Sequence, residues 1–466
     1  MIKKNDIIEL KIDGITNLGF GVGRSEGLAI FVSGAVTGDE VIAKIIKVSS
    51  SFAVARIEKI IFYSPLRDNT RCQNAKCQSC AYKLISYEQE LKIKEEDVRT
   101  AFKKCGLFDV KVQETLPSPK RTSYRNKAQY PISQDKNGNY VVGFFAPKSH
   151  RVTEARHCPL APEVFGDIIN TLVLHFEKHK IPAYNEETGE GVLRHVYLRR
   201  GEVSGEILLT IVATSDKLSG EAELTELIKT KHPEVVGLLL NVNKKKTNVI
   251  LGEKYITLFG RDYIYDTLAG IKLKLRAPAF YQVNHDGAEL LYAKAKELAN
   301  PKKEDTLLDL YCGAGSIGLS MARDVRELIG IEIVEDAVLC ARENARAEAI
   351  ENAHFFTGDA EYTEKLLENA ERELGRKISP NIVILDPPRA GCDEKLIKYV
   401  SRLSPDRIVY ISCNPQTLAR DVALFFENGY FTDTVLPVDM FCMTGHVESV
   451  VALTRRLDNE LRERMN

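Results

Sequence analysis

No stretch of this chain reaches the ~18 consecutive apolar residues that a membrane span requires, and none is close to it. The opening residues, MIKKNDIIELKIDG, lack the apolar core of a secretory signal. A cytoplasmic address is therefore expected, with no membrane partner. Net charge is also nearly absent: 64 Lys and Arg stand against 65 Asp and Glu. No global field draws such a chain to nucleic acid. The charge is uneven, however, with nine Lys and Arg against three Asp and Glu between Lys111 and Arg156. Ten cysteines in a chain without a secretory signal read as metal-binding, catalytic or buried thiols rather than disulfides. The length of 466 residues, 44% hydrophobic and 28% charged, allows a globular protein of about three domains.

The most informative stretch is TLLDLYCGAGSIGL, residues 306–319. Leu307, Leu308 and Leu310 make an apolar run of strand length. Gly313, Gly315 and Gly318 then follow a G-x-G-x-x-G pattern. The first glycine of such a loop permits a tight turn, the second lets a ligand approach the backbone, and the third lets helix and strand pack closely. Glu332 ends the next apolar run, ELIGIEI, where a carboxylate meets ribose hydroxyls. A tight turn without a ligand gives the same glycines. The downstream acid favours a nucleoside-containing cofactor, with NAD and S-adenosylmethionine both open.

From Thr306 onward, strands TLLDL, ELIGIEI, AHFFTGD, NIVILDPP and RIVYISCNP alternate with helical stretches near 317–324, 335–349, 361–375, 393–403 and 416–427. That pattern predicts a doubly wound α/β domain with a largely parallel sheet, closed by FTDTVLPVDMF and VESVVALTRR. Asp309, Glu332, Asp359, Asp386 and Cys413 then fall at the carboxyl ends of successive strands, the edge where open α/β sheets bind ligands. Pro387 keeps Asp386 out of the helical region. Cys413 sits between a strand and a helix start, which favours its thiolate. A lone cysteine there also serves as a small core hydrophobe. Glu448, at the start of the last strand, is either a strand-end carboxylate or a base working beside a covalent nucleophile.

Upstream, residues 1–62 hold five short alternating runs with Gly and Asp turns, as in a small OB-like barrel. RCQNAKCQSC places Cys72, Cys77 and Cys80 at C-x4-C-x2-C spacing, with Cys158 in HCP as a fourth candidate. Three clustered thiols with one distant Cys-Pro resemble iron–sulfur more than zinc ligation, though spacing alone does not decide the metal. Helices are expected over 83–106, 162–180 and 285–299, and strands around LRHVYLRRG, EILLTIVAT, VVGLLLNVN and IKLKLRAPAFYQVN. The segments KRTSYRNKAQYPI and VVGFFAPKSHRV mix basic and aromatic residues, as RNA-binding strands do and as ordinary solvated edges also do.

DLYCGAGSIGL, DPPRAG, SCNP and HVES in this order, with FYQVN upstream, resemble the RNA uracil-5-methyltransferases that use S-adenosylmethionine. The resemblance covers nearly the whole chain. It implies a multidomain fold: a TRAM-like OB barrel over 1–62, a central α+β RNA-binding domain with a cysteine cluster over 63–285, and a Rossmann-like methyltransferase domain over 286–466. It implies Cys413 as nucleophile and Glu448 as base. Gln282, Tyr311, Gly313 and Glu332 would hold S-adenosylmethionine, Asp359 would lie by the adenine, and Asp386 would sit near the methyl donor and the base. Cys72, Cys77, Cys80 and Cys158 would ligate a [4Fe-4S] cluster, although the first gap is four residues where that family has five. The implied reaction is methylation of C5 of a uridine in RNA by a monomer. The barrel and the cysteines favour 23S rRNA over tRNA as substrate.

Overall fold

The computed structural model describes residues 2–74, 76–147 and 149–455. Arg456, the last residue of the segment VESVVALTRR, and the ten residues after it lie outside the described residues.

The chain opens with β1 (Ile7–Lys11), β2 (Gly14–Ile15), β3 (Phe20–Ser25), β4 (Leu28–Ser33), β5 (Glu40–Val48) and β6 (Phe52–Phe62). They form one curled six-stranded sheet in the order β1-β5-β6-β4-β3-β2. Alternation in β5 buries Val41, Ala43 and Ile45 on one face, the pattern of a half-buried strand. The sheet has one strand more than the five expected, the short β2 pairing with β3.

Helix α1 (Tyr87–Lys104) and strand β7 (Lys111–Val112) come next in the chain, but they pack elsewhere. The helix is capped by Ser86, whose side chain accepts from the Gln89 N–H. It buries Val98, Ala101 and Phe102.

A central seven-stranded sheet follows, built from β8 (Lys127–Gln134), β9 (Tyr140–Phe145), β10 (Val152–Glu154), β11 (Leu193–Arg200), β12 (Ile207–Ala213), β13 (Val235–Val242) and β14 (Lys254–Gly260). Strand β12 is buried along its whole length, as expected of a strand covered on both faces. Two helices join these strands, α2 (Glu163–Lys178) and α3 (Glu221–Lys231). The second has no counterpart in the sequence reading, because only Leu224 and Ile228 of its length are buried. A separate hairpin, β15 (Tyr263–Leu268) and β16 (Ile271–Arg276), buries Ile271, Leu273 and Leu275.

The last part holds α4 (His285–Ala299), β17 (Thr306–Leu310), α5 (Ser316–Ala322), β18 (Glu327–Glu332), α6 (Glu335–Ala347), β19 (Ala353–Thr357), α7 (Thr363–Leu374), β20 (Ile382–Leu385), α8 (Glu394–Leu403), β21 (Arg407–Ser412), α9 (Pro415–Glu427), β22 (Tyr430–Phe431), β23 (Thr434–Val438) and β24 (Glu448–Arg455). Element ends agree with the sequence reading within a few residues. The sheet order is β19-β18-β17-β20-β21-β24-β23-β7, with β22 on β24. Strands β17 to β21 are parallel, and β24 is antiparallel to both β21 and β23. The outermost partner is β7, which pairs in parallel with β23, while α1 packs on α9. Residues 87–112 therefore belong structurally to the C-terminal sheet, although they precede the central sheet in sequence. Among the described residues no helix is long and apolar enough to cross a membrane.

Candidate active site

The strand order reverses between β17 and β20. Chains leave β17 toward β18 and β19 on one side, and β20 and β21 extend the other. A crevice at the carboxyl ends of strands at such a switch point is where open α/β sheets bind ligands.

The loop after β17 carries three residues in the left-handed region, Gly313 at φ +53° among them. Tyr311 adopts φ +63° and Gly315 φ +80°. A non-glycine residue in the left-handed region stores strain and is concentrated at functional sites. No sequence pattern announces it at Tyr311. Gly318 is required for packing: a Cβ there would lie 2.6 Å from Asp309 Oδ2 and 2.8 Å from Leu328 Cδ1. At Gly313 a Cβ would meet nothing, so that backbone faces open space. The Gly313 N–H donates to Glu332 Oε2 at 3.1 Å, and the Val334 N–H donates to Oε1 at 2.9 Å. Glu332 thus ties the glycine loop to the end of β18, with lone pairs left over on both oxygens.

A cavity of about 50 Å³ opens beside this loop, and Gln282, Tyr311, Gly313 and Asp386 all line it, with Tyr292 and Ser316. The Tyr292 hydroxyl and Ser316 Oγ are 3.0 Å apart. Gln282 is held there from the central sheet. Asn126 Nδ2 donates to its carbonyl at 2.8 Å, and the Tyr197 hydroxyl and buried Arg199 both donate to the Ala277 carbonyl. Asp359 lies apart from the cavity, at the start of a 3-10 turn where its carboxylate accepts from the Glu361 N–H. It is close enough to help keep the Tyr311 phenol protonated, although burial and the Cys392 thiol act more strongly.

Below the loop, Asp309 is fully buried. Its Oδ2 accepts from the Gly318 N–H at 3.0 Å, and its Oδ1 has no hydrogen-bond partner. Burial pushes its carboxyl up to about 8, the Gly318 N–H opposes that, and Asp386 and Glu332 add to the rise. An orphaned buried oxygen beneath a cleft fits a cleft that receives a polar ligand.

Cys413 and Glu448 are brought together by register. Ser412 of β21 pairs with Ser449 of β24, so the next residue outward on each strand is Cys413 and Glu448. Only the antiparallel β24 does this, since a parallel strand would start at the other end of the sheet. Asp386 follows the neighbouring β20, and Arg389 follows Asp386 in the loop. Asn414 fixes that loop: its Nδ2 donates to the Arg389 carbonyl at 3.0 Å while its Oδ1 caps α9 through the Gln416 N–H. Burial pushes Glu448 up to about 8, with Asp386 adding to the rise and Arg389 opposing it. Burial likewise pushes Asp386 up to about 7.

The expected bias of Cys413 toward thiolate is not what the structure has. Burial raises the thiol above its usual value, and Glu448 and Asp386 raise it further against Arg389. Two carboxylates and a low-dielectric setting outweigh the nearby helix start. Arg389, inside the DPPRAG motif, is the site residue the sequence reading passed over. Of the other cysteines near the sheet, Cys312 and Cys442 are buried and their thiols are raised strongly, whereas Cys413 is half-exposed.

The second predicted set shares a cavity, but among the described residues no three of its sulfurs lie within 4.8 Å of one another. Cys72, Cys77, Cys80 and Cys158 line one cavity of about 330 Å³, together with Arg125 and Lys127. All four are free thiols. Burial pushes Cys80 up to about 12, the other three sulfurs add to this, and Arg125 opposes it. Behind the cavity, Tyr87, Tyr124, Leu160, Cys442 and Met443 form a buried apolar cluster, on which Cys72, Cys80 and Cys158 pack. The cavity therefore abuts the loop that leads to Glu448.

The profile of the tRNA (Uracil-5-)-methyltransferase family matches residues 86–456, and that of the TRAM domain matches residues 3–57. The chain is 39% identical over 456 residues to an uncharacterized RNA methyltransferase of Bacillus cereus, covering 97% of this chain and 98% of that one. It is 36% identical over 458 residues to one from Clostridium acetobutylicum, with the same coverage. Among solved structures, it is similar to Pyrococcus abyssi tRNA (uracil-54, C5)-methyltransferase in complex with S-adenosyl-L-homocysteine, with a TM-score of 0.77 and 27% identity. That match covers 96% of this chain and 99% of the other.

Proposed function

Because the chain belongs to the tRNA (Uracil-5-)-methyltransferase family, we propose that it methylates C5 of a specific uridine in RNA through a covalent bond between Cys413 and uracil C6. The observation that carries this reading is the Ser412–Ser449 register, which sets a half-buried thiol and a buried carboxyl side by side, near Asp386 of the glycine-loop cavity. S-adenosylmethionine supplies an electrophilic methyl group on a sulfonium. Gln282, Tyr311, Gly313 and Glu332 are the residues that would hold it, with Asp359 toward the adenine and Asp386 toward the methyl.

C5 of uracil is a weak nucleophile. Addition of the Cys413 sulfur to C6 moves the ring electrons onto C5 and O4, and C5 then bonds to the methyl carbon as the methyl–sulfonium bond breaks and its electron pair leaves with the neutral thioether. Glu448 takes the C5 proton, the C5=C6 double bond reforms, and the sulfur leaves. Arg389 favours the charged form of both Cys413 and Glu448, so it supports both steps. The thiolate is the reactive form, and Arg389 acts to supply it. A uridine inside a duplex cannot reach this edge, so the target is flipped out or lies in a loop.

We take 23S rRNA as the substrate, the target that the resemblance implies from the TRAM domain together with the four cysteines. The competing reading is tRNA. It draws support from the Pyrococcus abyssi enzyme, a tRNA (uracil-54, C5)-methyltransferase that this chain matches over nearly its full length. Cys72, Cys77, Cys80 and Cys158 would hold a [4Fe-4S] cluster. Their free thiols, lining one cavity, fit a thiolate-ligated group that neutralises a donor set costly to ionise alone. A monomer working in the cytoplasm completes the proposal. Mapping 5-methyluridine in rRNA and tRNA from cells with and without the gene tests it. A site lost from 23S rRNA is expected, a site lost only from tRNA transfers the substrate, and no lost site in either overturns the reading.

A further inference from the structure

The central sheet carries a second set of chemistry-bearing groups that the methyl-transfer reading does not use. Helix α2 has His175 in its last turn and His179 as the residue that closes it, four apart and so on one face. Helix α3 has Glu223 in its first turn, beside them. One ring nitrogen of each histidine and one oxygen of Glu223 all lie within 4.8 Å of one another. We propose that His175, His179 and Glu223 form a binding site for a divalent zinc-class cation, which clips α2 to α3.

The tautomers favour it. His175 Nε2 lies 3.2 Å from the Ser219 carbonyl oxygen. A carbonyl only accepts, so Nε2 carries the hydrogen and Nδ1 the lone pair. His175 is 2% exposed, and its Nδ1 has no hydrogen-bond partner. A buried acceptor without a partner is costly. An imidazole with one nitrogen tied to a backbone carbonyl and the other free is also the arrangement of metal-bound histidines.

The other two groups are already aligned. His179 Nε2 is 3.1 Å from Glu223 Oε2, and the two imidazole centroids are 4.4 Å apart. Gly220, at φ +71°, makes the approach possible, because a Cβ there would lie 2.3 Å from the His179 ring. Lys178 holds the other Glu223 oxygen at 2.5 Å, which leaves Oε2 for the cation. Tetrahedral zinc needs ligand atoms about 3.3 Å apart, given bonds of ~2.0 Å, so a small side-chain movement closes the set. Two nitrogens and one oxygen, with a solvent-facing fourth position, suit zinc or cobalt rather than the all-oxygen preference of calcium or magnesium.

The test titrates the purified full-length protein with Co²⁺ as a spectroscopic probe and with Zn²⁺ in thermal melts. His179→Ala and Glu223→Gln are the variants, since those side chains are 23% and 47% exposed and neither supports the core. The wild type should bind one more equivalent of Co²⁺ than either variant, with visible bands of nitrogen and oxygen ligation. Loss of a direct ligand should weaken that equivalent by more than the roughly 10–100-fold that loss of an outer partner costs. Zn²⁺ should raise the melting temperature of the wild type and not of the variants, and Lys178→Gln should bind more tightly. Equal Co²⁺ uptake by all proteins overturns the proposal. So does bound Co²⁺ that shows only thiolate charge-transfer absorption, which would place the cation among the four cysteines.

Discussion

Lys94 and Asp439 stand 345 residues apart in the chain and 2.6 Å apart in the fold. Lys94 is 1% exposed, and its three N–H groups go to Asp439, Glu90 and the Phe441 carbonyl. Asp439 also accepts from the Tyr87 hydroxyl at 2.7 Å, and Glu90 accepts from the Met443 N–H at 2.8 Å. Burial raises the Glu90 carboxyl. It acts on Asp439 too, but Lys94 outweighs it and holds that carboxyl below its usual range. The early helix α1 thus grips the loop that ends at Glu448.

Lys94→Met should destabilise the protein by about 3–5 kcal/mol, because it leaves the buried Asp439 carboxylate without its cation, while Glu90 keeps Arg71 at 2.7 Å. Urea denaturation measures this. Adding Asp439→Asn should recover much of the loss, which a simple packing defect would not allow.

Cys413→Ala should bind RNA and S-adenosylmethionine yet transfer no methyl group. Glu448→Gln should transfer once and stall, leaving a denaturation-stable protein–RNA adduct that carries the methyl. RNA with 5-fluorouridine at the target should trap the wild type in the same way. Gel shift under denaturing conditions reads all three, and an adduct on Cys312 or Cys442 would move the nucleophile.

Glu448 gives a pH signature in both activity and stability. As a base it must be ionised, so single-turnover release of the RNA should speed up as pH rises through about 8. Arg389→Ala should move that limb upward, since Arg389 lowers the Glu448 pKa. The folded carboxyl titrates above its unfolded value of 4.5. Its stabilising share is therefore complete below 4.5 and is lost as pH rises through about 8. Glu448→Gln should melt higher than the wild type at pH 8.5, by more than roughly 1 kcal/mol, the worth of about one pKa unit. The gap should vanish near pH 4.

Anaerobically purified protein should be brown, absorb broadly near ~400 nm and hold about four irons per chain. Replacing Cys80 with Ala should bleach it. Colourless protein with stoichiometric zinc that Cys80→Ala abolishes would replace the cluster with a zinc centre.

The parts of the site read correctly in sequence are those whose chemistry sits in local motifs. Gly318 betrays a close helix–strand approach, and Asp386 is fixed by the proline after it. The parts that escaped depend on distant chain. Tyr311 takes a left-handed backbone that no residue preference marks. Cys413 is driven toward thiol by burial and then by Glu448 and Asp386, carboxyls 35 and 27 residues away that meet it only in the folded sheet. Helix α3 has too few buried positions to show a period. β7 is two residues long, far below what alternation can detect, and its place at the sheet edge is set by β23.

That last pairing orders events during synthesis. Strand β7 leaves the ribosome roughly 320 residues before its partner β23. At ~5–20 residues per second, it waits on the order of tens of seconds. Within that interval the central sheet acquires all its strands by Gly260 and can close, whereas α1 still has neither α9 nor Asp439 to pack on. The catalytic sheet is therefore sealed only after nearly the whole chain is made. A stop codon before α9 leaves Val98, Ala101 and Phe102 on the inner face of α1 and the unpaired β7 exposed, the kind of surface that aggregates.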